Sequence, residues 1–132
     1  NGDSVDVNGK SILVGELRRD LLRTSPGLSL AYLTDFCITP STKEWCDVVE
    51  WIGGTNTLIC ECQYATSDAS LAQRNGHMTA DRVGQLANEA GVETLVLQHL
   101  SRRYSEGEWA KMRSEAAEKF QGAAFPPNWN IP

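Results

Sequence analysis

The sequence predicts an α/β domain, and three observations predict it. Strand-like apolar runs alternate with segments whose apolar residues recur at the helical period. Capping and glycine signals bound those helical segments. The polar residues capable of chemistry fall at or near the C-terminal ends of successive strands, where open α/β sheets place their ligands. The 132 residues, 41% hydrophobic and 22% charged, suffice for one domain with a core and not for two.

The elements follow in order. Residues 1–27 read as hairpin and linker: "SVDV" alternates, "NG" signals a tight turn, and "SILV" continues. "ELRRDLLRT" suits a short helix with a poor apolar face, and "SPG" breaks it. Residues 28–121 hold the βα units. "LSLAYLTD" is a strand that delivers Asp35 at its end. In "STKEWCDVVEWIGG", Ser41 and Glu44 have the spacing of a capping box, and Trp45, Val48, Val49 and Ile52 form a stripe ended by Gly53-Gly54. "NTLICEC" is the next strand, and 64–76 reads as a polar loop. Thr79 is the expected N-cap of a helix carrying Val83, Leu86, Ala87 and Ala90, stopped by Gly91. "VETLVL" then runs into His99. A last helix starts at a Ser105/Glu108 capping box with Trp109, Met112, Ala116 and Phe120 on one face, and 122–132 reads as an irregular tail.

Composition excludes some function classes. The net charge of −5 argues against a generally basic nucleic-acid binder, although "SRRY" is a local basic cluster. No apolar run approaches the roughly 18–20 residues of a membrane span, and the polar N-terminus does not read as a signal peptide. The expected compartment is the cytoplasm. The four cysteines match neither a zinc ribbon nor a CxxC motif, so they read as reduced thiols used as small hydrophobes. A zinc site on Cys60 and Cys62 is the alternative.

Asp35, His77 and His99 are the candidate chemical residues. A carboxylate with imidazoles suits zinc, and a histidine also serves as a general acid near neutral pH. Each has a plain structural alternative: Asp35 as a strand-end turn residue or cap, His77 as a loop residue beside the helix at Thr79, and His99 as a hydrogen-bonded edge histidine.

Three stretches add a resemblance. "AYLTDF", "NTLICECQY" and "GHMTADRVGQLANEAGVETLVLQHLSRRY" resemble the C-terminal half of a metallo-β-lactamase-fold hydrolase, an αββα sandwich, and are most similar to ribonuclease Z and its phosphodiesterase relatives. That family has a strand ending in aspartate, a strand L-I-x-E-A, a loop H-[SM]-T before a helix, and a strand ending L-x-H-[FI]-S-x-R-Y. The match runs over residues 28 to 104 in order. The resemblance implies that Asp35 bridges two zinc ions, that His99 binds the second, and that His77 protonates the leaving oxygen with Glu61 behind it. It also implies that Arg103 meets phosphate. Departures are Met78 and Cys62 in place of the commoner Ser and Ala, and Phe36-Cys37 after the aspartate.

The same resemblance implies an H-x-H-x-D-H segment and one further histidine before the aspartate. The residues preceding Asp35 contain no histidine. Asp35 and His99 alone fall short of the roughly three protein ligands a catalytic zinc takes. The expectation is therefore a metal-dependent hydrolase incomplete in this chain, completed by an N-terminal half or a homodimer partner, with a phosphodiester substrate in RNA or a small molecule and no membrane partner. The competing expectation is a non-catalytic α/β binding or assembly module derived from that fold.

Overall fold

A computed structural model describes residues 2–131. The first residue of the polar N-terminus and the last of the tail expected to be irregular lie outside them. Strands β1 (Ser4–Val7) and β2 (Lys10–Leu13) form the expected antiparallel hairpin. Its turn is Asn8-Gly9, with φ of 54° and 80°, as a two-residue hairpin turn requires. Helix α1 (Val14–Leu21) follows, and neither it nor the hairpin buries a residue.

The rest is one four-stranded parallel sheet with strands in chain order: β3 (Leu30–Leu33), β4 (Thr57–Glu61), β5 (Thr94–Gln98) and β6 (Ala123–Ala124). Helix α2 (Lys43–Ile52) connects β3 to β4, α3 (Ala69–Asn75) and α4 (Ala80–Ala90) connect β4 to β5, and α5 (Glu106–Ala117) connects β5 to β6. Side chains alternate across a strand, and here the two faces fare differently. Ala31, Leu58, Cys60, Leu95, Leu97 and Ala123 are buried in the core with Val83, Leu86 and Ala87 of α4 and Met112 and Ala116 of α5. Leu30 and Tyr32, their alternates on β3, are 63% and 55% exposed. Ile59 and Val96 on the same open face are only half-buried.

Helices α4 and α5 approach closely because residue 84 is glycine. A Cβ there would stand 2.3 Å from the Ala116 carbonyl oxygen.

Four expectations need correction. The N-cap of α2 is Thr42, whose hydroxyl accepts from Trp45 N–H at 3.3 Å, and not Ser41. Ser41 instead turns through a left-handed φ of 67°, so no Ser41/Glu44 capping box forms. The segment 64–76 is not a loop: a 3-10 turn at Thr66–Asp68 leads into α3, because Ala72 packs into the core and organises an otherwise polar stretch. The tail contributes β6, a short strand held by pairing with β5 despite the weak strand propensity of two alanines. Of the cysteines, Cys60 and Cys62 are core residues, whereas Cys46 is exposed.

The Ser105/Glu108 capping box forms as expected, with Glu108 Oε2 accepting from the Ser105 N–H and hydroxyl at 2.8 Å each. Thr79 occupies the N-cap position of α4, but its hydroxyl donates to Asp81 and not to the helix.

Candidate metal and proton-transfer site

The site lies at the C-terminal ends of three adjacent strands. Asp35 stands two residues beyond β3 and His99 directly beyond β5, and both have left-handed backbone with φ of 54° and 55°. For a residue with a Cβ this conformation costs about 1–2 kcal/mol, although Asp and His enter it more readily than most. The two turns bring these side chains together over the end of β4. His99 Nδ1 is 3.7 Å from Asp35 Oδ1 and 3.7 Å from Glu61 Oε2.

His77 arrives from the helical side. Gly76, in the left-handed conformation with φ of 76°, ends α3, and His77 N–H donates back to the Ala72 carbonyl at 3.0 Å. The His77 ring then lies edge-on to His99, centroids 5.5 Å apart. Together Asp35, His77 and His99 offer ligand atoms all within 4.8 Å of one another, with Asp35 exposed and both histidines half-buried.

Glu61, the last residue of β4, anchors the group and is wholly buried. Its Oε1 accepts the Phe36 N–H at 2.8 Å, and its Oε2 faces His77 Nδ1 at 2.7 Å. Burial pushes the Glu61 carboxyl above its ordinary value, opposed by the Phe36 N–H and the two histidines. The balance leaves a carboxyl tightly tied to one imidazole nitrogen, with the other nitrogen of His77 turned elsewhere.

Hydrogen bonding also assigns the His99 tautomer. The Thr34 hydroxyl donates to Asp35 Oδ2 at 3.1 Å, so it accepts from His99 Nδ1, also at 3.1 Å. Nε2 lies 3.1 Å from the Gln63 amide nitrogen. Hydrogen bonds to both ring nitrogens fix the orientation of this imidazole, as the outer partners of metal-ligating histidines do.

Arg103 is set one ring away from these atoms. Its guanidinium carbon lies 5.8 Å above Tyr64, whose ring is 6.1 Å from that of His77, and 5.9 Å from Tyr104. The Tyr104 hydroxyl donates to Asp68 and accepts the Ala65 N–H, which ties the Arg103 loop to the turn before α3. Together with desolvation, the Asp68 contact holds that phenol up at about 12.

Sequence reasoning missed Thr34, Gln63 and Tyr64. Their signal was adjacency to Asp35 and Glu61, but a threonine, a glutamine and a tyrosine at strand ends do not announce contacts across the sheet. The zinc alternative at Cys60 and Cys62 does not match the structure: both thiols are fully buried, burial pushes their pKa values well up, and neither joins the ligand group.

No protein-family model matches the chain. It is 42% identical over 127 residues to ribonuclease Z of Deinococcus radiodurans, covering 96% of this chain and 38% of that protein. To ribonuclease Z of Nocardia farcinica it is 34% identical over 119 residues, 90% of this chain and 35% of the relative. Among solved structures, the metallo-β-lactamase fold protein YhfI of Bacillus subtilis superposes with a TM-score of 0.61 at 24% identity, over 73% of this chain and 35% of that one. The short form of human tRNase Z superposes with a TM-score of 0.55 at 20% identity, over 80% and 34%. The chain thus spans somewhat over a third of the length of these curated relatives, is ribonuclease Z-like in sequence, and shares the fold of metallo-β-lactamase fold proteins over part of their length.

Proposed function

We propose that this half of a metallo-β-lactamase fold supplies part of the active site of a metal-dependent phosphodiester hydrolase of ribonuclease Z type. The observation that carries the reading is the convergence of Asp35, His77 and His99 within 4.8 Å, built on two left-handed strand-end turns and backed by buried Glu61. The donor set, one carboxylate and neutral imidazole, fits zinc. Asp35 and His99 would hold it, through a carboxylate oxygen and an imidazole nitrogen. When bound, zinc would polarise the phosphoryl oxygen and lower the pKa of an attacking water.

The remaining work belongs to this chain's own side chains. Glu61 holds His77 by Nδ1, so the opposite nitrogen can pass a proton to a departing oxygen. Thr34 keeps His99 in one tautomer while holding Asp35. Arg103, braced on Tyr64, suits a phosphate flanking the scissile bond.

The further ligands come, in this reading, from the rest of the fold, on the same polypeptide or another. The uncovered sheet face supports it. All-parallel sheets are found almost only with both faces covered, yet Leu30 and Tyr32 stand open here. The substrate class is a phosphodiester, RNA foremost because the relatives bear the name ribonuclease Z. A cytoplasmic place fits four free thiols. No helix among the described residues is long and apolar enough to cross a membrane.

Zinc titration of the isotope-labelled chain, followed at its histidine side chains, tests the reading. His99 should respond, and Asp35→Ala should weaken the response by about tenfold or more. A titration that leaves His99 untouched, or that Asp35→Ala does not alter, would overturn it.

A further inference from the structure

A cavity of about 500 Å3 lies further along the same rim. The candidate metal site occupies the C-terminal ends of β3, β4 and β5. This cavity begins at Leu100, the residue after His99, and is closed by the tail that leaves β6, so it sits at the ends of β5 and β6. Trp109 and Trp129 line it, with Arg102, Glu106 and Asn130.

The walls have fixed chemistry. Trp109 is pinned, because its Nε1–H donates to the Ser101 carbonyl at 3.1 Å. Trp129 is backed by Phe125, centroids 6.2 Å apart and planes 30° from parallel, and its N–H closes a turn onto Pro126. Neither Arg102 nor Glu106 enters an ion pair among the described residues. Two consecutive arginines therefore part company: Arg103 stacks over Tyr64 on the metal-site side, while Arg102 lines the cavity.

We propose that this cavity binds one nucleotide unit of the substrate strand next to the phosphate held at the metal site, its base against Trp109 and Trp129 and its phosphate on Arg102. Indole faces stack on any base, a guanidinium pairs with phosphate, and a volume near 500 Å3 lies within the range of small-ligand sites. Glu106 accepts hydrogen bonds and donates none when ionised. It can therefore accept from the N–H groups of a base edge, the exocyclic amino group of adenine, cytosine or guanine or the N3–H of uracil, and Asn130 can meet either donors or acceptors. The inference rests on the phosphodiesterase reading for the identity of the strand, and the cavity's own chemistry specifies the nucleotide.

The test uses adenosine 5′-monophosphate, uridine 5′-monophosphate and inorganic phosphate as probes, with chelator present so that no metal contributes. The indole N–H signals of the four tryptophans are followed by NMR. Adenosine monophosphate should shift Trp109 and Trp129 saturably and leave Trp45 and Trp51, both on α2, unmoved. Trp129→Ala, at a partly exposed tail position, should weaken binding by about tenfold. Arg102→Ala should weaken the monophosphate but not free adenosine, and Glu106→Ala should weaken both the adenosine and the uridine monophosphate.

Absence of saturable shifts at Trp109 and Trp129 would overturn the proposal. So would an equal response to inorganic phosphate, which would mark a simple anion site. Because metal is excluded, nucleotide binding with no zinc response at His99 would leave this site standing and remove the hydrolase reading. Zinc binding without nucleotide shifts would do the reverse.

Discussion

Glu61 joins three parts of the site through two oxygens. One fixes the Asp35 loop by the Phe36 N–H, the other fixes His77, and the whole residue is removed from water. A buried donor stripped of its acceptor costs about 1–3 kcal/mol. Glu61→Ala should therefore lower unfolding free energy by that amount in urea denaturation, through the orphaned Phe36 N–H and the lost His77 contact. Glu61→Gln keeps an acceptor for Phe36 and should lose distinctly less. Equal stability of Glu61→Ala and the parent chain would show that the carboxyl does not hold the loop. At this scale the sequence already exposed the carboxylate and both imidazoles, since each closes or follows a strand-like run. Their partners Thr34 and Gln63 stayed hidden, because hydrogen bonds between residues 34 and 99 or 63 and 99 depend on strand register and on two positive-φ turns. The roles proposed for these residues rest on geometry and resemblance together.

Among the elements, α4 and α5 form the main helical layer, and their contact is set by a missing methyl group. Gly84→Ala would drive a Cβ to 2.3 Å from Ala116 O and 3.0 Å from Ala116 Cα, backbone atoms that cannot swing aside. Overpacking of this kind costs about 1–3 kcal/mol, so calorimetry should find a clearly lowered melting temperature. An unchanged one would mean the helices are free to separate. The start of α5 makes a pH prediction. Hydrogen bonds from the Ser105 N–H and hydroxyl hold the Glu108 carboxyl below its ordinary value of 4.5. A depressed folded pKa adds stability above the unfolded value, and that stability is lost as pH falls through the folded one. The stability gap between the parent chain and Glu108→Gln should thus be present at neutral pH and shrink as pH falls below the ordinary carboxyl value of 4.5; a gap unchanged with pH would refute the ionised cap.

Helix periodicity revealed α2, α4 and α5 because each buries a regular apolar stripe. It failed for α3, where Ala72 alone is buried and the remaining residues resemble a loop. It also missed the shift of the α2 cap from Ser41 to Thr42, since both hydroxyl residues are suitable caps and only the local turn decides.

The whole molecule is half-covered. Helices shield one side of a parallel sheet, while the opposite face keeps Leu30 and Tyr32 open and the rim gathers a carboxylate and two imidazoles. Strand and helix order, and with it the rim position of the site, could be read from the alternation of patterns in the sequence. Openness of the second face was implied only by the resemblance to half of a larger fold, because Ile59 and Val96 have the composition of buried strand residues whether or not anything lies above them. The account stands on Asp35 and His99 being metal ligands, with His77 kept for proton transfer by Glu61. Crystals of the chain soaked in zinc and measured at the zinc absorption edge would test this most directly. An anomalous peak about 2.0–2.2 Å from an Asp35 carboxylate oxygen and a His99 ring nitrogen is predicted, with His77 Nδ1 still on Glu61. A peak at Cys60 and Cys62, or one that takes His77 away from Glu61, would contradict it.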